Sequence, residues 1–271
     1  AQGRSRRRNV RSAEEVDVWN AGCSTELGIR IHKVHDIQWV SAGRYSSPCI
    51  FRNVERNLRT VIHGDDFTTL GSTESLGWMR EKMMEKFEVK LRGRLGPEEK
   101  DEKSIRILNR VVEWTAKGIR YEADQRHAEI IINELGIKEE SKSLVNPATP
   151  STVATPEEEE ELGTEQATMY RALTARGIYL AQDRTDVQYA VKELSRKMAT
   201  PTKGSWEKLK RLGRYLKGRE RVILEYDYQK NTNCINVWTD TDFAGCKVTR
   251  KSTYGGIIQL GGHLIKSWSS T

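Results

Sequence analysis

Residues 59–71, RTVIHGDDFTTLG, are two runs of β-branched and aromatic residues on either side of Gly64, Asp65 and Asp66. A glycine with two acids separates the runs, which is the pattern of a β-hairpin. A helix is expected next. Ser72 is placed to cap it, Glu74 falls in its first turn, and Leu76, Met79, Met83 and Phe87 share one face. A strand pair followed at once by a helix commits this region to a mixed architecture.

The remainder continues the mixture. Gly96-Pro97 and EEKDEK mark a loop, SIRILNRVVEW alternates as one long strand, and IRYEA returns after a turn at Lys117-Gly118. Asp124 is expected to cap a helix carrying Ala128, Ile131, Ile132 and Leu135, with Gly136 at its C′ position. Pro147, Pro150 and Pro156 are half of the 6 prolines, and a run of glutamates follows, read as a linker ending in a solvated helix start. Three helices come next. One carries Met169, Leu173 and Leu180, a second is capped by Asp186, and a third runs through Trp206, Leu209, Leu212 and Leu216 to Gly218. VILEYDY, INVWTD, TYGGIIQL and HLIKSW then read as a meander. The fold class expected is α+β.

No apolar run is long enough to cross a membrane. The 4 cysteines, Cys23, Cys49, Cys234 and Cys246, form no CxxC pair, which fits a reducing, intracellular setting, cytoplasmic or nuclear. His32 and His35 have no partner at metal spacing and read as surface histidines. A net charge of +7 favours polyanionic partners or serves solubility alone. The third helix carries Lys208, Lys210, Arg211, Arg214 and Lys217 on one face, with Arg219 and Arg221 beyond. Such a face lies along a phosphate backbone or is simply solvated. GRSRRRNVR near the amino terminus is read as disordered or phosphate-binding.

A hairpin lifts its turn to the edge of a sheet, so Asp65 and Asp66 can meet a cation and a substrate. Mg²⁺ takes carboxylate oxygens together with phosphate oxygens. Gly-Asp-Asp is equally at home in an ordinary turn. Spacing alone leaves both readings open.

The motif order is more telling. SSPCIF precedes VIHGDDFTTLG, and KFEVKLRGRLG follows. Later come YRALTARGIYLAQDRTDVQYAVKELSRKMATP, LKRLGRYLKGRERVILEY and WTDTDFAGCKVTRKSTYGGIIQLGG. In this order, from about Ser46 to Thr271, they resemble the reverse transcriptase and RNase H region of copia-type LTR retrotransposon polyproteins. The resemblance implies a partial polymerase palm with thumb and connection helices, then the first antiparallel strands of an RNase H-like domain. It makes Asp65 and Asp66 the paired metal-binding, catalytic aspartates of the palm, and Asp240 the first metal-binding carboxylate of RNase H, with Asp242 a weaker candidate. It supplies a duplex for the basic face of the third helix. The implied cofactor is Mg²⁺. The implied partners are an RNA template, a DNA primer, an RNA–DNA hybrid and, in the intact parent, deoxynucleotides.

The resemblance divides the chain into a basic segment at 1–45, a late palm and thumb-like region at 46–145, a linker at 146–163, a helical thumb or connection region at 164–221 and a truncated RNase H-like domain at 222–271. It also breaks in places. His63 stands where the family has tyrosine, and Thr185 where it has proline. The palm aspartate of an earlier strand is not reproduced in residues 1–45, where Asp17 and Asp36 lack its flanking pattern. The expectation is a polymerase piece that is catalytically incomplete by itself. The alternative is a nucleic-acid-binding remnant without catalysis.

Overall fold

The computed structural model describes residues 15–21, 40–43, 47–149, 155–230, 232–246 and 249–271. The arginine-rich amino-terminal block, Cys23, His32, His35 and Asp36 lie outside them. Contacts divide the chain into residues up to 108 with 112–116, and residues 109–111 with 117–271.

The first unit contains β1 (Glu15–Ala21), β2 (Val40–Gly43), β3 (Ser47–Asn53), β4 (Leu58–His63), β5 (Asp66–Gly71), α1 (Thr73–Lys86), β6 (Val89–Leu95) and β7 (Ser104–Ile107). Six strands form one sheet in the order β2-β3-β4-β5-β1-β6. The expected hairpin is β4–β5, with His63 paired to Asp66 across the turn. Alternation gives it two faces. Leu58, Thr60 and Ile62 of β4 and Phe67 and Thr69 of β5 are buried, while Arg59, Val61 and His63 point outward. Phe51, Leu58, Ile62 and Phe67 pack with Leu76, Met79 and Met83 of α1. Thr60 and Thr69 lie on this buried face and satisfy each other, hydroxyl to hydroxyl at 3.0 Å. Ser72 caps α1, its hydroxyl accepting from the Ser75 N–H at 3.3 Å.

The long strand expected over SIRILNRVVEW is broken. Leu108 and Asn109 take φ of 50° and 67°, and β8 (Arg110–Trp114) begins after them. Asparagine tolerates this left-handed region, whereas a leucine there costs about 1–2 kcal/mol, so alternation alone does not reveal the bend.

The second unit contains β9 (Gly118–Glu122), α2 (Arg126–Glu134), α3 (Thr164–Leu180), α4 (Gln188–Ser195), α5 (Lys203–Gly218), β10 (Ile223–Asp227), β11 (Ile235–Thr241), β12 (Tyr254–Leu260) and β13 (His263–Ser270). Ile131 and Ile132 of α2, Tyr170 and Leu173 of α3, Val191 and Leu194 of α4, and Leu209, Leu212 and Leu216 of α5 share one core. Met169, expected there, is exposed, and its neighbour Tyr170 is buried instead, donating to the Leu194 carbonyl at 2.7 Å.

Several local expectations are corrected. Gln125 is the N-cap of α2, and Asp124 acts from one residue earlier, accepting from the Arg126 N–H at 3.1 Å. Gly136 does close α2, with φ of +63° and the Ile137 N–H bonded to the Ile132 carbonyl. The glutamate run is a turn before α3, not its first turn, since α3 starts at Thr164. Asp186 sits in a single 3-10 turn, Thr185–Val187, and binds Arg184 rather than capping α4. The meander loses its first strand, because β10 pairs with β9, Tyr226 opposite Ile119. Only β11, β12 and β13 form the three-stranded antiparallel sheet.

His127 of α2 gives this unit a pH dependence. Its ring stacks on Tyr179, and its Nδ1 is buried without a hydrogen-bond partner among the described residues. Burial holds its pKa below the usual value. Asp124 opposes that, and Arg176, Arg126 and Arg110 reinforce it. The neutral ring is therefore the folded form. As pH falls through about 6.5 the unfolded chain takes up the proton first, and stability is lost until the folded pKa is passed. Between pH 7.5 and 5.5 the melting temperature should fall further in wild type than in His127→Gln. Equal falls would contradict this assignment.

Candidate functional site

Gly64 takes φ of +62°, and Asp65 beside it does not enter the left-handed region. Glycine at the first central position of a two-residue turn matches the twist of the flanking strands. The bend is exposed, with Asp65 in the turn and Asp66 opening β5. Asp66, Val61, His63 and Thr68 share the sheet face away from α1. With Arg92 and Arg106 they line a cavity of about 170 Å³.

Arg92 reaches Asp66, Nη1 to Oδ1 at 3.2 Å. A shift in register explains how. Val18 of β1 pairs with Gly93 and Trp19 with Leu91, so Arg92 is the extra residue of a bulge. In a regular strand residues 92 and 94 would share a face. The bulge sends them to opposite faces, and each meets an aspartate. Arg94 binds Asp17 through Nε and Nη2 at 2.6 and 3.0 Å. Asp17 is fully buried and pairs in register with Thr69, so it lies on the α1 face, opposite Asp66. The structure thus joins Asp65 and Asp66 at one bend and keeps Asp17 away from them. The interrupting glycine of LRGRL was the sequence signal for the bulge.

Asp65 and Asp66 offer the oxygen donors that a hard cation takes. Two carboxylates do not complete an octahedral shell, and among the described residues no group of three or more His, Cys, Asp or Glu side chains could hold a metal. The pair fits Mg²⁺ only if water or phosphate oxygens complete the shell, with Arg92 competing for Asp66.

Asp240 lies on β11 opposite Gly255, exposed, beside an open cavity of about 450 Å³ bordered by Tyr254 and Trp268. Its Oδ1 accepts from the Thr241 N–H at 2.9 Å. Asp242 has a different task. Its Oδ1 accepts from the Thr253 and Gly245 N–H groups at 2.9 and 3.0 Å, which hold its carboxyl below the usual range and fix the loop after β11.

The basic face of α5 is partly occupied. Lys208 is exposed, and Lys210 pairs with Glu207 at 2.7 Å. The Nε of Arg211 is buried with no hydrogen-bond partner among the described residues. Arg214 donates to the Lys142 carbonyl at 2.8 Å. The Lys217 ammonium donates to the Lys138 and Ser141 carbonyls, both at 2.8 Å, and to that of Glu139. Arg221 grips Glu122 with two bonds of 2.7 Å. Much of this face therefore ties down the segment after α2 and strand β9. Composition could not distinguish these tethers from cations offered to phosphates.

Comparison with known proteins adds to this geometry. The chain is 41% identical over 105 residues to the retrovirus-related Pol polyproteins from transposons RE2 and RE1 of Arabidopsis thaliana, covering 38% of this chain and 7% of each relative. It is 26% identical over 234 residues to the Pol polyprotein from transposon TNT 1-94 of Nicotiana tabacum, covering 83% of this chain and 17% of that protein. The chain thus spans a small part of the length of these relatives. No protein-family model matches it, and no solved structure does. Among the described residues no helix is long and apolar enough to cross a membrane.

Proposed function

We propose that this chain, whose homologues are retrovirus-related Pol polyproteins of plant transposons, is a piece of a copia-type RNA-directed DNA polymerase with the opening strands of an RNase H domain. The observation that carries the reading is the exposed hairpin bend bearing Asp65 and Asp66 at the rim of a cavity that also holds Arg92 and Arg106. In that reading Asp65 and Asp66 hold Mg²⁺, which when bound stabilises charge during phosphoryl transfer. Arg92 and Arg106 attract phosphate oxygens, and His63 and Val61 shape the wall. The nucleic-acid partner is an RNA template with its DNA primer, and Lys208, Lys210 and Arg211 add positive charge along a duplex.

The piece is catalytically incomplete by itself. Asp17, on the neighbouring strand, faces the other side of the sheet and is neutralised by Arg94, so among the described residues no third carboxylate joins the pair at the bend. In a Mg²⁺-dependent primer-extension assay the purified chain and its Asp65→Asn variant should both give background product. Binding to an RNA–DNA hybrid should weaken as salt rises. Extension by wild type that disappears in Asp65→Asn would refute the incompleteness, and absence of hybrid binding would refute the polymerase reading. The ion pair between Asp66 and Arg92 favours the second reading, a binding remnant without catalysis. Under it, Mg²⁺ at constant ionic strength changes hybrid affinity equally in wild type and Asp65→Asn.

A further inference from the structure

We propose that Tyr179, backed by His127, is a stacking platform for an unpaired base of single-stranded nucleic acid. The inference deepens the reading above, on which it rests, by adding a binding element outside the hairpin and outside the basic face of α5. Tyr179 lies in the last turn of α3 and is 62% exposed. One of its faces is covered. The His127 imidazole lies parallel to it, 8° between planes and 5.6 Å between centroids. A ring held in this way has lost its freedom before any ligand arrives, so stacking on its outer face costs little ordering.

The surroundings suit a nucleotide. Arg176 precedes Tyr179 by three residues, which places both on one side of the helix. Arg176 makes no hydrogen bond or ion pair among the described residues. Two other guanidiniums near His127 are engaged. Asp124 binds Arg126 at 2.6 Å, and Asp183 binds Arg110 at 2.8 Å. Among the described residues that act on the His127 charge, Arg176 is the guanidinium without a carboxylate partner, enough for a single phosphate beside the base. Aromatic rings next to a cationic groove are how proteins hold single strands irrespective of sequence. A duplex presents no unstacked base, so the platform separates single strands from duplexes.

The test is fluorescence titration of a short oligodeoxynucleotide carrying 2-aminopurine, with an RNA–DNA hybrid in parallel. Tyr179→Ala should weaken single-strand binding about tenfold, from the stacking contribution of one base, and leave hybrid binding within about twofold. Tyr179→Phe, which keeps the ring, should bind like wild type. Arg176→Gln should reduce the salt slope by about 0.7, the value for one phosphate on a single strand. Unchanged single-strand binding in Tyr179→Ala, or equal loss on both substrates, would overturn the platform while leaving the polymerase reading in place. Failure of wild type to bind either substrate would overturn both.

Discussion

Arg184→Met is expected to destabilise the second unit by about 3–5 kcal/mol, the cost of breaking a buried ion pair from one side. Arg184 is 1% exposed, and all three nitrogens of its guanidinium donate. Nε and Nη2 grip Asp186 at 2.9 and 2.7 Å, Nη2 also donates to the Arg219 carbonyl, and Nη1 donates to that of Glu220. Those carbonyls belong to the chain leaving α5, whose last groups have no partner within the helix. Tyr215 donates to the same Asp186 carboxylate at 2.8 Å. Removal of the arginine leaves a half-buried acid and two carbonyls without their donor. Burial pushes the Asp186 carboxyl up and Arg184 brings it below the usual range, so the variant should also lose stability at neutral pH, where that acid must stay charged. Arg184→Lys should recover only part, because an ammonium lacks the planar fork. Urea unfolding followed by circular dichroism measures the change. A loss under about 1 kcal/mol would show that the cluster is dispensable.

Gly118→Val should cost about 3 kcal/mol, near the upper end for overpacking. A Cβ at Gly118 runs into the backbone carbonyl of Tyr226 and lies 2.9 Å from Asp227 Cα. Backbone cannot swing aside as a side chain can, so β9 and β10 must part, and Arg120 and Glu225 with them. Gly118→Ala should move stability the same way, since the collision begins at Cβ. Gly77 is the control. It lies within α1 with nothing inside 4 Å of the added carbon, so Gly77→Ala should stabilise by about 0.5–1 kcal/mol. The idea fails if the substitutions at residue 118 and at residue 77 shift the urea midpoint in the same direction.

The hairpin at Asp65, the Ser72 cap and the leucine stripe of α5 were legible because each is written within a dozen residues. What was not legible is non-local or lies in single dihedrals. Arg120 meets Glu225 across a separation of 105 residues, and no periodicity carries that pairing. Leu108 and Asn109 break a strand whose alternation runs straight through them. Asp186 has the residue type and position of a cap, and the buried arginine two residues earlier claimed it. At the candidate site, the neighbouring acids were visible in the sequence. Their relation to Arg92 and Asp17 was not, because one bulged residue in β6 decides which face each arginine serves.

The cage of carbonyls around the Lys217 ammonium has a consequence for how this molecule meets a polyelectrolyte. A cation already coordinated on three sides by its own backbone displaces few sodium ions from a nucleic acid. The charge counted along α5 therefore overstates the entropy its surface can release on binding.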